Sequence, residues 1–134
     1  MHEFDYPGRP TPWSFLFGIL KFTRFLRSRR YDCVNSHNRN SSIVARMATW
    51  LAGVPLNVYT AHGMYFHDGQ SRIARRLTEA VEGALSKVTT FTLSQSGEDT
   101  DYMVSSGRIA RNRIETIGNG IDTQKFGPRD RSWP

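Results

Sequence analysis

The sequence predicts an α/β fold, an open parallel sheet of about four strands with crossover helices. Three observations predict it. Short runs rich in β-branched and aromatic residues recur at 31–36, 56–60, 88–93 and 113–117. Between them lie stretches with helical periodicity, long enough to carry the chain back for a parallel pairing. Each predicted strand also ends in small or polar groups, as strands do when they open into a turn before a helix.

Taken in order, the first element is a helix over 13–30. Thr11 is its N-cap, and Pro12 stands where a missing N–H costs nothing. Its apolar stretch stops at Leu20, short of the ~20 residues that span a bilayer. Its charges follow the apolar residues, the reverse of a secretory leader. Two readings of it stay open. One is a core helix whose terminal cations suit the helix dipole. The other is an interfacial helix, with aromatics in lipid and Lys21, Arg24, Arg27, Arg29 and Arg30 against anionic headgroups.

Tyr31–Ser36 is the first strand, closing on His37 and Asn38. Ser41 or Ser42 opens a helix with Ile43, Val44, Met47, Trp50 and Leu51 as its buried face, stopped by Gly53 and Pro55. Leu56–Thr60 is the second strand and closes on Ala61, His62 and Gly63. After an aromatic loop, Ser71 caps a helix to about Ser86. Ile73, Leu77, Val81, Ala84 and Leu85 form its expected buried stripe, and Arg72, Arg75, Arg76, Glu79 and Glu82 its wet face. Val88–Leu93 is the third strand. Ser96 and Asp99 resemble a capping box for the next helix, which Gly107 ends. Arg113–Ile117 is the fourth strand, followed by the Gly118-Asn119-Gly120 turn. Residues 1–12 read as an extension, 13–122 as one domain, and 123–134 as a tail or the start of a linker.

With 134 residues the chain holds one domain, and 38% hydrophobic residues allow a real core. Cys33 is the single cysteine, which excludes a disulfide framework; it reads as a buried strand residue. The net charge is +6 and the isoelectric point about 10.0. Residues 1–30 hold six basic residues against Glu3 and Asp5, so most of the excess belongs to the first helix. A duplex-gripping protein more often spreads its charge over a reading surface.

The carboxyl ends of the strands are the informative positions, because open parallel sheets bind ligands in the crevice beyond them. There the turns at His37-Asn38, His62-Gly63, Ser94 and Asn119-Gly120 converge on one edge. Imidazoles, hydroxyls, amides and backbone N–H groups suit an anion or a hydroxyl-rich ligand. His62 is the most specific of these, since Gly63 lets a ligand approach closely. His62, His67 and Asp68 do not follow a standard metal-ligand spacing. No dinucleotide fingerprint and no phosphate-loop lysine motif occur.

The segments "YDCVNSHNRNSSIVARMATWLAGVPLNVYTAHG", "FTLSQSGEDTDYM" and "IETIGNGIDTQKFGP", in this order, resemble the amino-terminal domain of family-four glycosyltransferases over residues 31 to 128. The resemblance implies a partial Rossmann-like domain of a two-domain GT-B enzyme. Such enzymes move a sugar from a nucleotide-sugar donor with retention, using neither cofactor nor metal. It implies that His62 is the catalytic-cleft histidine. His37, Asn38, Gly63, Ser94, Asn119 and Gly120 fall at substrate-binding positions. It further implies a polysaccharide, lipid-linked or other glycan acceptor, and a cytoplasmic protein peripheral to the inner face of the membrane. The family's first strand, with its glycine-rich turn, and its donor-binding domain do not match this chain. It therefore reads as an acceptor-side part that is inactive alone and leaves the first strand as a bare sheet edge. The alternative from the residues alone is a small basic module for an anionic membrane surface or nucleic acid.

Overall fold

A computed structural model describes residues 11–63 and 71–120. Four strands, β1 (Cys33–His37), β2 (Leu56–Ala61), β3 (Phe91–Ser94) and β4 (Ile114–Thr116), form a parallel sheet in the order β1-β2-β3-β4. Helices α1 (Pro12–Arg29), α2 (Arg39–Ala52), α3 (Arg72–Val88) and α4 (Gly97–Ser105) separate or precede them. The expected fold class is what the chain adopts, with the strands as consecutive neighbours. Each step along the sheet goes the same way, so right-handed crossovers stack the connecting helices on one face. Ser36, Asn57, Tyr59, Thr92, Ser94 and Ile114 are buried on that face, while Cys33, Asn35 and Glu115 on the other are exposed.

Local chemistry sets the helix ends. Thr11 and Ser14 form a reciprocal capping box at α1. Ser71 and Ser96 accept from the Ala74 and Asp99 amides, as N-caps do. Gly53 stops α2 in the left-handed region at φ 74°, which a side chain rarely adopts. α1 packs on α2 through Gly18, Thr23 and Leu26, and the Thr23 hydroxyl reaches the Ala48 carbonyl at 3.5 Å.

Several expectations fail here for identifiable reasons. α2 begins at Arg39, ahead of the serines expected to cap it, with Asn38 as its N-cap residue. Of its expected apolar face Val44 is buried, but Trp50 and Leu51 are exposed, and Ser42, Arg46, Ala48 and Thr49 are buried instead. α2 lies between α1, α3 and the sheet, so its inward side is chosen by polar partners on α3 as much as by hydrophobicity. Cys33 is exposed, because it opens the edge strand on the face away from the connecting helices.

The largest correction concerns α3. Ile73 and Leu77, expected inside, are 81% and 66% exposed, and Ala84 is exposed too. Glu79 and Glu82, expected in water, are buried. Arg46, itself fully buried, donates from Nη1 to Glu82 Oε2 at 2.7 Å and from Nε to Thr89 Oγ1 at 2.7 Å. Glu79 accepts from Arg75 at 3.0 Å, from Arg108 at 2.6 Å and from the Tyr102 hydroxyl. A buried carboxylate is tolerated only when paired and hydrogen-bonded; Arg46 meets Glu82 in the interior, while Arg75 reaches Glu79 from the exposed side. Ion pairing thus sets the first turns of α3 against its apolar stripe, while Leu85 is buried as expected.

Candidate functional site

At the carboxyl edge of the sheet, β1 and β2 deliver two histidines to one point. The parallel register pairs His37 with Thr60, and the chain bends two residues later at His62. Side chains two apart share a face, so both imidazoles rise on the side away from α2. His37 Nδ1 lies 2.9 Å from His62 Nε2, with ring centroids 5.2 Å apart and planes inclined by 29°. Below them the Thr60 hydroxyl donates to Asn35 Oδ1 at 3.0 Å, tying the two strands on the same face. Both rings are exposed.

The turns around the pair are unusual backbone. Gly63 holds φ 129°, where a side chain is strained, and no atom of the described residues lies within 4 Å of the place a Cβ would take. Asn38 has φ 61° without being glycine, a sparsely populated state that often marks a functional turn. Its side chain makes no capping bond to α2. The first-turn amides of that helix are thus left without a side-chain cap from Asn38, at an end that follows His37 directly in the chain and favours anionic or polar groups.

The other expected site residues divide. Ser94 is fully buried, and its hydroxyl is bonded within its own turn, to the Ser96 carbonyl at 2.9 Å. Asn119 and Gly120 are exposed beyond β4, two strands from β2, which is about 10 Å across the sheet. His67, Asp68 and the segment from Ile121 onward lie outside the described residues. Among the described residues no cluster of three metal-ligating side chains occurs.

The basic helix also resolves residue by residue. Arg27 donates to the Leu51 carbonyl at 2.8 Å, capping the end of α2, and the Arg29 guanidinium lies 5.9 Å from the centre of the Phe25 ring. Trp13 and Phe17 are 70% and 67% exposed, with Leu16 and Leu20 beside them on one stripe that Arg24 continues. No described helix is long and apolar enough to cross a membrane. The Arg46 cluster was invisible to periodicity, which weighs residues by apolarity alone.

A parallel α/β sheet whose polar groups gather beyond the strand ends, at paired imidazoles and an open helix terminus, has the architecture of ligand-binding Rossmann-like domains. The comparison with known proteins is more specific. The family model described as Glycosyltransferase Family 4 matches residues 1–125, and the chain belongs to that family. A relative, the UDP-Gal:alpha-D-GlcNAc-diphosphoundecaprenol alpha-1,3-galactosyltransferase of Escherichia coli, is 29% identical over 110 residues. That match takes in 82% of this chain and 28% of the relative, so the chain spans just over a quarter of the relative's length.

Proposed function

We propose that this chain forms the acceptor-side part of a retaining, metal-independent glycosyltransferase of the hexosyltransferase type, with a nucleotide sugar as co-substrate. The observation that carries the reading is the His37–His62 pair at the carboxyl edge of a family-four domain. Glycosyl transfer with a diphosphate leaving group needs groups that hold the sugar and acceptor in line while charge develops on the phosphates. His62 contacts the sugar; Gly63, Asn38 and the first-turn amides of α2 shape the crevice; Asn119 and Gly120 lie toward the donor side. Ser94 acts by holding its turn. The phosphate clamp belongs to a donor domain beyond this chain, so residues 1–134 alone are inactive.

The relative's name supports a lipid-linked acceptor and a uridine diphosphate sugar donor; a polysaccharide product is our own extension of that reading. A lipid-linked acceptor supports a membrane surface as the place of action, and we assign it to the cytoplasmic face. The exposed stripe of α1 supports the same placement, since aromatics followed by cations match the depth profile of an anionic interface. Nucleic acid is not a partner in this reading.

The test is transfer from UDP-galactose to a GlcNAc-diphospho-lipid by the full-length transferase carrying this domain. His62→Ala is expected to lower kcat/KM at least about tenfold with the fold intact, as a lost transition-state contact does. Unchanged kinetics removes His62 from the site. For the membrane contact, Arg24→Gln with Arg30→Gln is expected to weaken sedimentation with phosphatidylglycerol vesicles. Equal binding by the variant confines α1 to packing.

A further inference from the structure

We propose that His37 and His62 work as one unit that recognises two neighbouring hydroxyls of a sugar, His62 Nδ1 accepting from one and His37 Nε2–H donating to the other. The proposal rests on the reading of this edge as a sugar site, and it makes His37 a positioning residue for His62 as well as a contact.

The argument starts from the 2.9 Å between His37 Nδ1 and His62 Nε2. One proton fits between two nitrogens at that distance, so the neutral pair has two arrangements. In the first, His62 Nε2–H donates to His37 Nδ1, and His37 keeps its own proton on Nε2. In the second, His37 Nδ1–H donates to His62 Nε2, and His62 must carry its proton on Nδ1. A neutral histidine side chain in water favours the proton on Nε2. The first arrangement gives both rings that preferred form and the second gives it to neither. The two arrangements are therefore unequal, and the first prevails.

What the pair shows to the crevice follows directly. His62 Nδ1 is left with a lone pair, an acceptor only, and His37 Nε2 is left with a proton, a donor only. Among the described residues neither outer nitrogen has a hydrogen-bond partner, and both rings are exposed. A hydroxyl is donor and acceptor at once, so two adjacent hydroxyls satisfy both nitrogens, one in each sense. An anion would satisfy only the His37 side and would meet the His62 lone pair unfavourably. The strand register fixes the spacing of the two rings, because His37 lies opposite Thr60 and the Thr60–Asn35 bond locks that register just below. His62 alone, on an exposed bend, would exchange between its two proton positions and lose this polarity.

The experiment is nitrogen-15 imidazole spectroscopy of the 134-residue chain. Both rings are expected as Nε2–H forms, with scalar coupling across the hydrogen bond between His62 Nε2 and His37 Nδ1. His37→Phe, which keeps a ring but no acceptor, is expected to abolish the coupling and let His62 mix its two forms. His37→Gln, which restores an acceptor oxygen, is expected to return His62 to the Nε2–H form. Backbone amide spectra report that each variant stays folded. Methyl α-galactoside at high millimolar concentration is expected to shift both outer nitrogens. Absent coupling, Nδ1–H forms, or a His62 indifferent to His37→Phe overturns the paired unit. A shift at one outer nitrogen or at neither overturns the two-hydroxyl reading. Normal turnover by the full-length transferase carrying His62→Ala removes this edge from the sugar site while the coupling in the wild-type chain still stands, so the two failures are distinguishable.

Discussion

The two ends of the sheet are held together by opposite kinds of chemistry. Around α4 and β4 the core is apolar: Met103, Ile109 and Ile114 are buried together, with Tyr102 and Val104 packed against them. Around α2, α3 and β2 a polar network is buried among Val44, Ala48, Tyr59 and Leu85. Arg46 lies at its centre, bonded to Glu82 and Thr89 and placed 4.4 Å from the centre of the Tyr59 ring. The Asn57 amide donates to the Arg46 and Val88 carbonyls at 2.9 and 2.7 Å. Burial, and then the Glu82 carboxylate, push the Tyr59 phenol above its ordinary value, while Arg46 opposes that shift. The apolar end depends on shape, whereas the middle depends on the Arg46–Glu82 charge pair. It does so even though Arg46 Nη2 and Asn57 Oδ1 are buried without a hydrogen-bond partner among the described residues. A hydrophobic contact degrades gradually when trimmed, but a buried charge that loses its partner is left uncompensated.

The largest expected effect lies in the polar middle. Arg46→Ala strands Glu82 in the interior and is expected to cost about 3–5 kcal/mol in urea unfolding. Replacing both partners, Arg46→Met with Glu82→Leu, removes the desolvation cost along with the attraction. That double variant is expected to fall between neutrality and ~1–4 kcal/mol of added stability. A double variant as weak as the single would show that the pair itself, and not the stranded charge, holds α2 to α3.

Met103→Ala attacks the apolar end and is expected to cost about 2–4 kcal/mol, from lost burial and the cavity left behind. No rescue by a second substitution is expected, because nothing there is left unpaired. A cost equal to that of Arg46→Ala would erase the contrast between the ends.

That contrast also explains what was legible in the sequence. The strands and their parallel pairing followed from β-branched runs separated by crossover lengths, their consecutive order from the family resemblance, and α1 and α3 from Thr11 and Ser71 as caps. The convergence of His37 and His62 followed from parallel pairing, since both stand just past a strand end. The inward face of α3 did not follow, because periodicity weighs residues by apolarity alone. It cannot register that Glu79 and Glu82 meet cations contributed by α2, by α3 itself and by the segment after α4. The direct bond between the two imidazoles was equally hidden, since it depends on the register of β1 against β2 and on the bend after Ala61.

Glu79 offers the finest test, because it joins the two ends. The Tyr102 hydroxyl, ahead of the Arg75 and Arg108 guanidinium groups, holds its carboxyl below the usual carboxylate range. A carboxyl depressed in the folded state stabilises the fold fully above its unfolded value. That stability is lost as pH falls through the lowered folded value. Wild-type stability is therefore expected to decline on acidification through the acidic range, and Glu79→Gln to flatten that part of the profile. The size of the effect is smaller than at Arg46, since Arg75 is half exposed and water screens its share. Tyr102→Phe removes the leading donor and should give an intermediate slope. If Tyr102→Phe matched Glu79→Gln, the arginines would contribute nothing, and α3 would be joined to α4 by one hydroxyl alone.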